Sequence, residues 1–324
     1  MKEKSVGNIL KVVKNFKTEM EAIQFFMKQR WNGKVECPFG TCSAESKIYN
    51  LKSGKDFKCS CCGKIFSYKT RTIFEDTKIP MRKWFMAIYL IVNHKKGISS
   101  LQLGRDIDVT QKTAWFMLHR IRHILGLDDD NMFDGTTECD EVYLGGKEGN
   151  KHTSKKNIAE KTVVVGMVNR ETGKATATVV ESNKSYELQE VIYKNVKEGS
   201  NIVTDSYAGY DCLHWICVAA KIKLKFNKLI FNYKHESVKH SVGEYVKESS
   251  RVSFKIHTNT IEGMFSHLKR TILGTYHWIS KKHTNAYLQE VGFRYSTRRV
   301  SDEFRLVSLL KNTNGRLSYK SLIA

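Results

Sequence analysis

The chain has 324 residues, enough for two or three domains and a sizeable core, and its 54 basic against 33 acidic side chains leave a net charge of +21. That excess favours a polyanionic partner, most simply DNA or RNA. The first seventeen residues are studded with Lys and lack a sustained apolar core, so no secretory signal is expected. The longest apolar run, Trp84 to Val92, falls short of the roughly 20 residues that a bilayer span needs.

Met20, Ile23, Phe26 and Met27 recur at helical spacing and predict a short amphipathic helix, ending near Trp31, that packs on a neighbouring module. Cys37 and Cys42 follow, then sixteen residues, then Cys59 and Cys62 before Gly63. Two close cysteine pairs in a chain without a secretory signal fit a reducing compartment and a metal site better than disulfides. The spacing predicts a zinc ribbon with Cys37, Cys42, Cys59 and Cys62 as ligands to a structural Zn²⁺, and Cys61 as a spare thiol that could replace one of them. Four thiolates leave no open position for catalysis.

Pro80 suits the first turn of a helix running through Val92, apolar on most sides and so destined for a core. After Gly97, a short Ser-capped helix, a turn around Asp106 to Val109 and a second helix capped by Thr110 predict a helix-turn-helix. Ala114, Leu118, Ile121 and Leu125 line one face of the second helix. Gln111, Lys112 and Thr113 stand at its start, where a recognition helix meets the major groove. Arg120, Arg122 and His123 are placed further along to hold phosphates. Asp128–Asp130 predicts a surface linker.

From Thr136 the apolar period changes from helical to strand-like. Thr136 to Gly146 alternates polar and apolar residues, ends on two glycines and carries Asp140 at its centre. Thr162 to Val168 and Lys174 to Glu181 read as strands, Tyr186 to Val196 as a helix, and Asn201 to Asp205 as a fourth strand. The polar, basic stretch Lys147 to Lys161 predicts a loop over a phosphate backbone. His257 to Arg270 reads as a helix with Glu262 near its start. The fold class is therefore α/β: this order is that of a ribonuclease-H-like (RNase H-like) mixed sheet with flanking helices, in which the first and fourth strands lie side by side. Asp140 and Asp205 then meet, and the closing helix delivers a third group.

Taken singly these carboxylates are ordinary, since Asp often ends a strand in a turn and Glu favours the first turn of a helix. In a basic chain Asp140, Asp205 and Glu262 together can hold divalent cations against nucleic-acid phosphate. Glu138, Glu141 and Asp211 are further carboxylates close by, and Cys139, Cys212 and Cys217 read as buried thiols. The expected divisions are 1–72 for the first helix and ribbon, 73–132 for the helix-turn-helix region, 133–300 for the sheet domain and 301–324 for a C-terminal tail.

From about Ala22 to Arg298 the chain resembles transposases of the IS1595 (ISXO2-like) insertion-sequence family, related to the Merlin elements of eukaryotes. The likeness is carried by the cysteine pairs, Lys83-Trp84-Phe85, Gly97 to Leu103, Asp140 to Lys147, and Asp205 with Tyr207, Gly209 and Tyr210. It continues through Thr258 to Gly263, Lys269-Arg270, Gly274 to His277, Ser280 to His283 and Phe293 to Tyr295. Ser296 and Phe265 stand where the family often has Asn and Trp.

The resemblance implies a DNA transposase whose RNase H-like domain uses two acidic residues and a third that is Glu, Asn or His across the family. Asp140 and Asp205 carry over. Glu262, seven residues and so two helical turns before Lys269, is the preferred third, and Asn259 on the same face is the alternative. Two Mg²⁺ (or Mn²⁺) ions are implied, bridged by Asp140 and held by Asp205 and the third residue, activating first water and then a 3′-hydroxyl. Lys269 would touch a phosphate near the scissile bond, with His277, Lys281, Lys282 and His283 as further backbone contacts. The implied partners are double-stranded DNA, at element ends and target, and further copies of the chain in a synaptic complex, with no membrane. The implied location is the cytoplasm, at the bacterial nucleoid when bound to DNA. Two rival readings are a catalytically inactive, transposase-derived DNA-binding regulator and a structure-specific nuclease.

Overall fold

The computed structural model describes residues 14–40, 42, 46–126, 132–145, 161–210, 213, 233–248 and 252–324. Asp128–Asp130, most of the expected phosphate loop (147–160), Asp211, Cys212 and Cys217 lie outside them. The chain forms two compact units, one joining residues up to Asp128 with Arg299–Ala324, the other running from Asp129 to Arg298.

In the first unit, α1 (Glu19–Trp31) begins where the Thr18 hydroxyl accepts the Glu21 N–H and ends at Asn32, whose φ of 45° is left-handed. It buries Ala22, Ile23 and Phe26, whereas Met20 is 39% exposed. Met20 lies about 110° round the helix from the centre of that stripe, beyond the face that packs. Strands β1 (Ile48–Asn50), β2 (Asp56–Cys59) and β3 (Ile65–Ser67) pair antiparallel in sequence order. Their inner face buries Phe57 and Phe66 against Trp31 and Phe39. Helix α2 (Met81–Asn93) is buried over most of its length.

Helices α3 (Ser100–Asp106) and α4 (Gln111–Leu125) begin at Ser99 and Thr110, whose hydroxyls accept the N–H of Gln102 and Thr113. Ala114, Leu118, Ile121 and Leu125 are buried as their spacing predicts. Arg120 and Arg122, expected on phosphate, are buried too. Arg120 donates to the Ile73 and Leu317 carbonyls, and its guanidinium lies 4.4 Å from the centre of the Phe116 ring. For Arg120 part of the reason is the end of the chain. Residues expected to form a tail instead build helices at Asp302–Lys311 and Tyr319–Ile323, which bury Leu306, Leu309, Leu310 and Leu322 in this unit.

The second unit holds β4 (Thr136–Leu144), β5 (Thr162–Asn169), β6 (Ala175–Val180), α5 (Ser185–Asn195), β7 (Asn201–Asp205), β8 (Lys234–Val238), α6 (Asn259–Thr271) and α7 (Thr284–Ser296). The sheet order is β6-β5-β4-β7-β8. β5 runs antiparallel to both β4 and β6, while β7 runs parallel to β4 and β8 parallel to β7. β8, the polar run Lys-His-Glu-Ser-Val at the sheet edge, carries no alternating signal in the sequence. One face packs Cys139, Val165, Met167 and Ile202 against Leu188 and Ile192 of α5. The other packs Val142, Val164 and Val168 against Ile261, Met264, Phe265 and Leu268 of α6. Among the described residues no helix is long and apolar enough to cross a membrane.

Gly166 sets how closely α6 lies on the sheet. It pairs with Asp140 across β4 and β5, and a Cβ there would meet Phe265 at 2.5 Å and Ile261 at 2.9 Å. Gly166→Ala is therefore expected to cost about 1–3 kcal/mol by overpacking, measured by urea denaturation.

Candidate active site

The site follows from strand register. Glu138 of β4 pairs with Val203 of parallel β7, so two residues further on Asp140 stands level with Asp205. The β4–β7 ladder ends at Glu138–Val203, and the two acidic side chains meet just beyond it. Carboxylate oxygens of Asp140, Glu141 and Asp205 all lie within 4.8 Å of one another. Asp205 accepts the Tyr207 N–H at 3.1 Å, and Glu141 accepts the hydroxyl of buried Tyr210 at 2.8 Å. Burial and, next, the charge of Asp205 push Asp140 up from an ordinary 3.8 to about 8, although the Glu141 N–H favours its ionised form. Glu141 is also raised, chiefly by burial. Crowded carboxylates of this kind form a hard, oxygen-rich site that gains from a divalent cation.

Glu141, a bystander in the sequence, thus belongs to the cluster, while Glu262 stands outside it. Glu262 is half-exposed and accepts the Thr258 hydroxyl at 3.3 Å, with His240 Nε2 3.4 Å away. It is near enough for its charge to add to the rise of Asp140. Asn259 is the exposed first residue of α6, and Lys269 is exposed two turns beyond Glu262.

What seats α6 is a residue that sequence reasoning left without a role. Glu138 is fully buried and accepts the backbone N–H groups of Thr260 and Ile261 at 2.8 and 2.9 Å, and the Thr260 hydroxyl at 2.8 Å. Arg170 donates to the same carboxylate at 2.7 Å and to the Lys255 and His257 carbonyls. The His257 ring lies 3.3 Å from Glu138, held below its ordinary pKa by burial and then by Arg170. The one signal available was position: Glu138 shares a strand face with Asp140, a face that must be covered.

In the first unit the sulfurs of Cys37, Cys42, Cys59 and Cys62 also lie within 4.8 Å of one another, and Cys61 is exposed outside the group. Cys37–Cys62 and Cys42–Cys59 separations are 3.8 and 3.7 Å. Four sulfurs around zinc at about 2.3 Å would be roughly 3.8 Å apart, so the cage has the right size. The Cys62 N–H is the main cause lowering Cys59 to about 7, whereas burial raises Cys37 to about 12. Gln111 and Lys112 are exposed at the start of α4, with Thr113 partly so. His277, Lys281 and Lys282 are exposed in the second unit, and His283 is half-buried.

A mixed α/β unit with a carboxylate cluster where adjacent parallel strands part is the class these features define. Residues 132–296 match the family model of the ISXO2-like transposase domain, and the chain belongs to that family. A relative is the uncharacterized protein in transposable element ISH50 of Halobacterium salinarum, 25% identical over 314 residues, covering 92% of this chain and 98% of that protein.

Removing Glu138 leaves the part-buried Arg170 without its counter-charge and the first N–H groups of α6 without their acceptor. Glu138→Ala is expected to destabilise the second unit by about 3–5 kcal/mol. Glu190→Ala, which breaks an exposed pair with Lys194, should cost less than about 1 kcal/mol. Chemical denaturation of the two variants measures the contrast.

Proposed function

We propose that this chain is a DNA transposase whose second unit cleaves and joins DNA strands at Asp140 and Asp205 with divalent cations. The observation carrying this is the parallel β4–β7 register, which sets Asp140 level with Asp205 in a basic chain of the ISXO2-like family. The strand order and directions are those expected of an RNase H-like domain, which supports the same reading.

Asp140, Asp205 and Glu141 offer the oxygen donors that Mg²⁺ or Mn²⁺ prefers. Two such cations, when bound, supply activation of the attacking hydroxyl and neutralisation of charge on phosphate and leaving oxygen. The side chains do the rest. Tyr210 orients Glu141 through its hydroxyl, and the Tyr207 N–H orients Asp205. Glu262 completes the ligand set by turning from Thr258, with Asn259 as the alternative third residue. Lys269 holds a phosphate on the same face of α6. In the first unit a structural Zn²⁺ is caged by the four cysteines, and α3 with α4 is a helix-turn-helix presenting Gln111, Lys112 and Thr113 to element ends. Pairing two ends calls for at least a second copy of the chain, working in the cytoplasm.

A strand-transfer assay in Mg²⁺, with DNA carrying the element's own ends, tests the reading. Joined products that disappear in Asp140→Asn are expected. End binding without cleavage would leave the inactive regulator as the better account, and cutting without joining would leave the nuclease.

The metal-free site also has a pH signature. Because the folded-state pKa of Asp140 is raised to about 8, the folded protein keeps a proton that the unfolded chain has released. Stability owed to this carboxyl should therefore fall as pH rises from about 4 towards 8, then level off. Mg²⁺ must displace that proton, so its affinity should rise up to about tenfold per pH unit below pH 8 and flatten above. Thermal unfolding and titration calorimetry read the two trends, and Asp140→Asn should abolish both.

A further inference from the structure

We propose that Trp278 is a base-stacking wedge whose indole takes an unstacked nucleobase of the bound DNA, about half a helical turn from the phosphate held at Asp140 and Asp205. The inference rests on the transposase reading for its partner and goes beyond it in naming the group recognised.

Trp278 is 77% exposed, more than any other large apolar side chain among the described residues. Tryptophan is usually well covered, so such exposure has to be accounted for. Slack backbone does not account for it. Helix α6 runs directly into a π-helical turn, Ile272–Tyr276, closed by the His277 N–H on the Ile272 carbonyl at 2.6 Å. The Trp278 N–H then donates to the Tyr276 carbonyl at 2.6 Å, making a γ-turn centred on His277, with φ 58° and ψ −45°. That hand of γ-turn is rare and strained for a residue with a side chain, and strain of this sort gathers at functional positions. The turn is fixed from beneath. The Tyr276 hydroxyl donates to buried Glu290 of α7 at 2.6 Å, and Glu290 is also paired with Arg294. The Tyr276 ring packs edge-on against Tyr287 with centroids 4.7 Å apart. A rigid, anchored turn thus displays a bare indole.

Charge selects the occupant. No acidic residue occurs between Glu262 and Glu290, while Lys269, Arg270, Lys281 and Lys282 are all exposed there. A two-fold contact with a second copy would set this basic segment against itself, whereas DNA phosphates complement it. Stacking of a base on an aromatic ring tolerates any sequence, and an apolar wedge opens or kinks the duplex where it enters. Position follows from α6 and the turn that continues it: Glu262 to Tyr276 spans about 20 Å at roughly 1.5 Å per residue, on the order of six base steps of 3.4 Å.

The experiment uses the full chain in metal-free buffer, with duplexes made from the DNA flanking its own gene and with unrelated duplexes. Trp278→Ala should weaken binding about tenfold, the loss of one stacked base. The salt dependence should not change, because no charge has gone. Lys281→Ala with Lys282→Ala should instead flatten it. One thymine that reacts with permanganate in the wild-type complex should become protected in Trp278→Ala, and Trp278→Phe should restore most of both effects. Unchanged thermal unfolding checks that the exposed substitution leaves the fold intact. If Trp278→Ala matches wild type in affinity and permanganate pattern, the wedge is wrong and the transposase reading stands. Wild-type protein that binds no duplex would overturn both. A DNA-free dimer that Trp278→Ala dissolves would assign the surface to a second copy and overturn the wedge.

Discussion

A carboxylate buried without donors would take up a proton rather than remain charged, so the fully buried Glu138 depends on what surrounds it. Its surroundings are the guanidinium of Arg170, the first free N–H groups of α6 and the Thr260 hydroxyl. The helix start supplies both hydrogen-bond donors and the positive end of a dipole. Satisfying this one carboxylate therefore fixes the first turn of α6 on β4. Arg170 ties down the approaching chain as well, through the Lys255 and His257 carbonyls. Gly166 adds a steric condition to the electrostatic one, since only a residue without Cβ lets Phe265 and Ile261 come so near the sheet. Between them these constraints set where Glu262 and Lys269 stand relative to Asp140.

Two acidic residues two positions apart on one strand thus meet opposite fates. Glu138 is surrounded by donors and serves as a seat for a helix. Asp140 faces Asp205 and Glu141, and burial with their charges raises its pKa. The contrast lies in the partners: the first has its lone pairs filled by donors of the protein, the second is set among other carboxylates with which it could share a cation. Burial does not distinguish them, since both are largely covered. The partners do.

Much of this was legible in the sequence, and the failures have physical causes. The order strand, strand, strand, helix, strand could be read because each run keeps its period for five residues or more, and the observed boundaries fall within a residue or two. Asp140 beside Asp205 followed from that order. The role of Glu138 did not, because a charge in an alternating strand reads as solvent-facing until the element above it is known. Arg120 misled in the same way, its guanidinium donating to the carbonyl of Leu317, distant in sequence. β8 escaped because an edge strand of polar residues has no apolar face to announce it. In each case local pattern was silent about a long-range contact.

Several arginines are turned inward. Arg30 donates to the Tyr68 and Thr70 carbonyls, Arg120 to those of Ile73 and Leu317, and Arg170 to those of Lys255 and His257. A planar guanidinium with several fixed donors can bridge two backbone oxygens at once, and these arginines act as internal braces. Lys269, Lys281 and Lys282 remain exposed as point charges on flexible stems, and Arg270 is exposed beside them. A net charge of +21 therefore overstates the surface available to a polyanion, and what is left on the segment following α6 is mostly lysine. Lysines that contact only phosphate carry no sequence information, and under the proposed wedge discrimination by this segment would come from how readily a duplex opens, which is a property of the DNA step and of the aromatic side chain set against it.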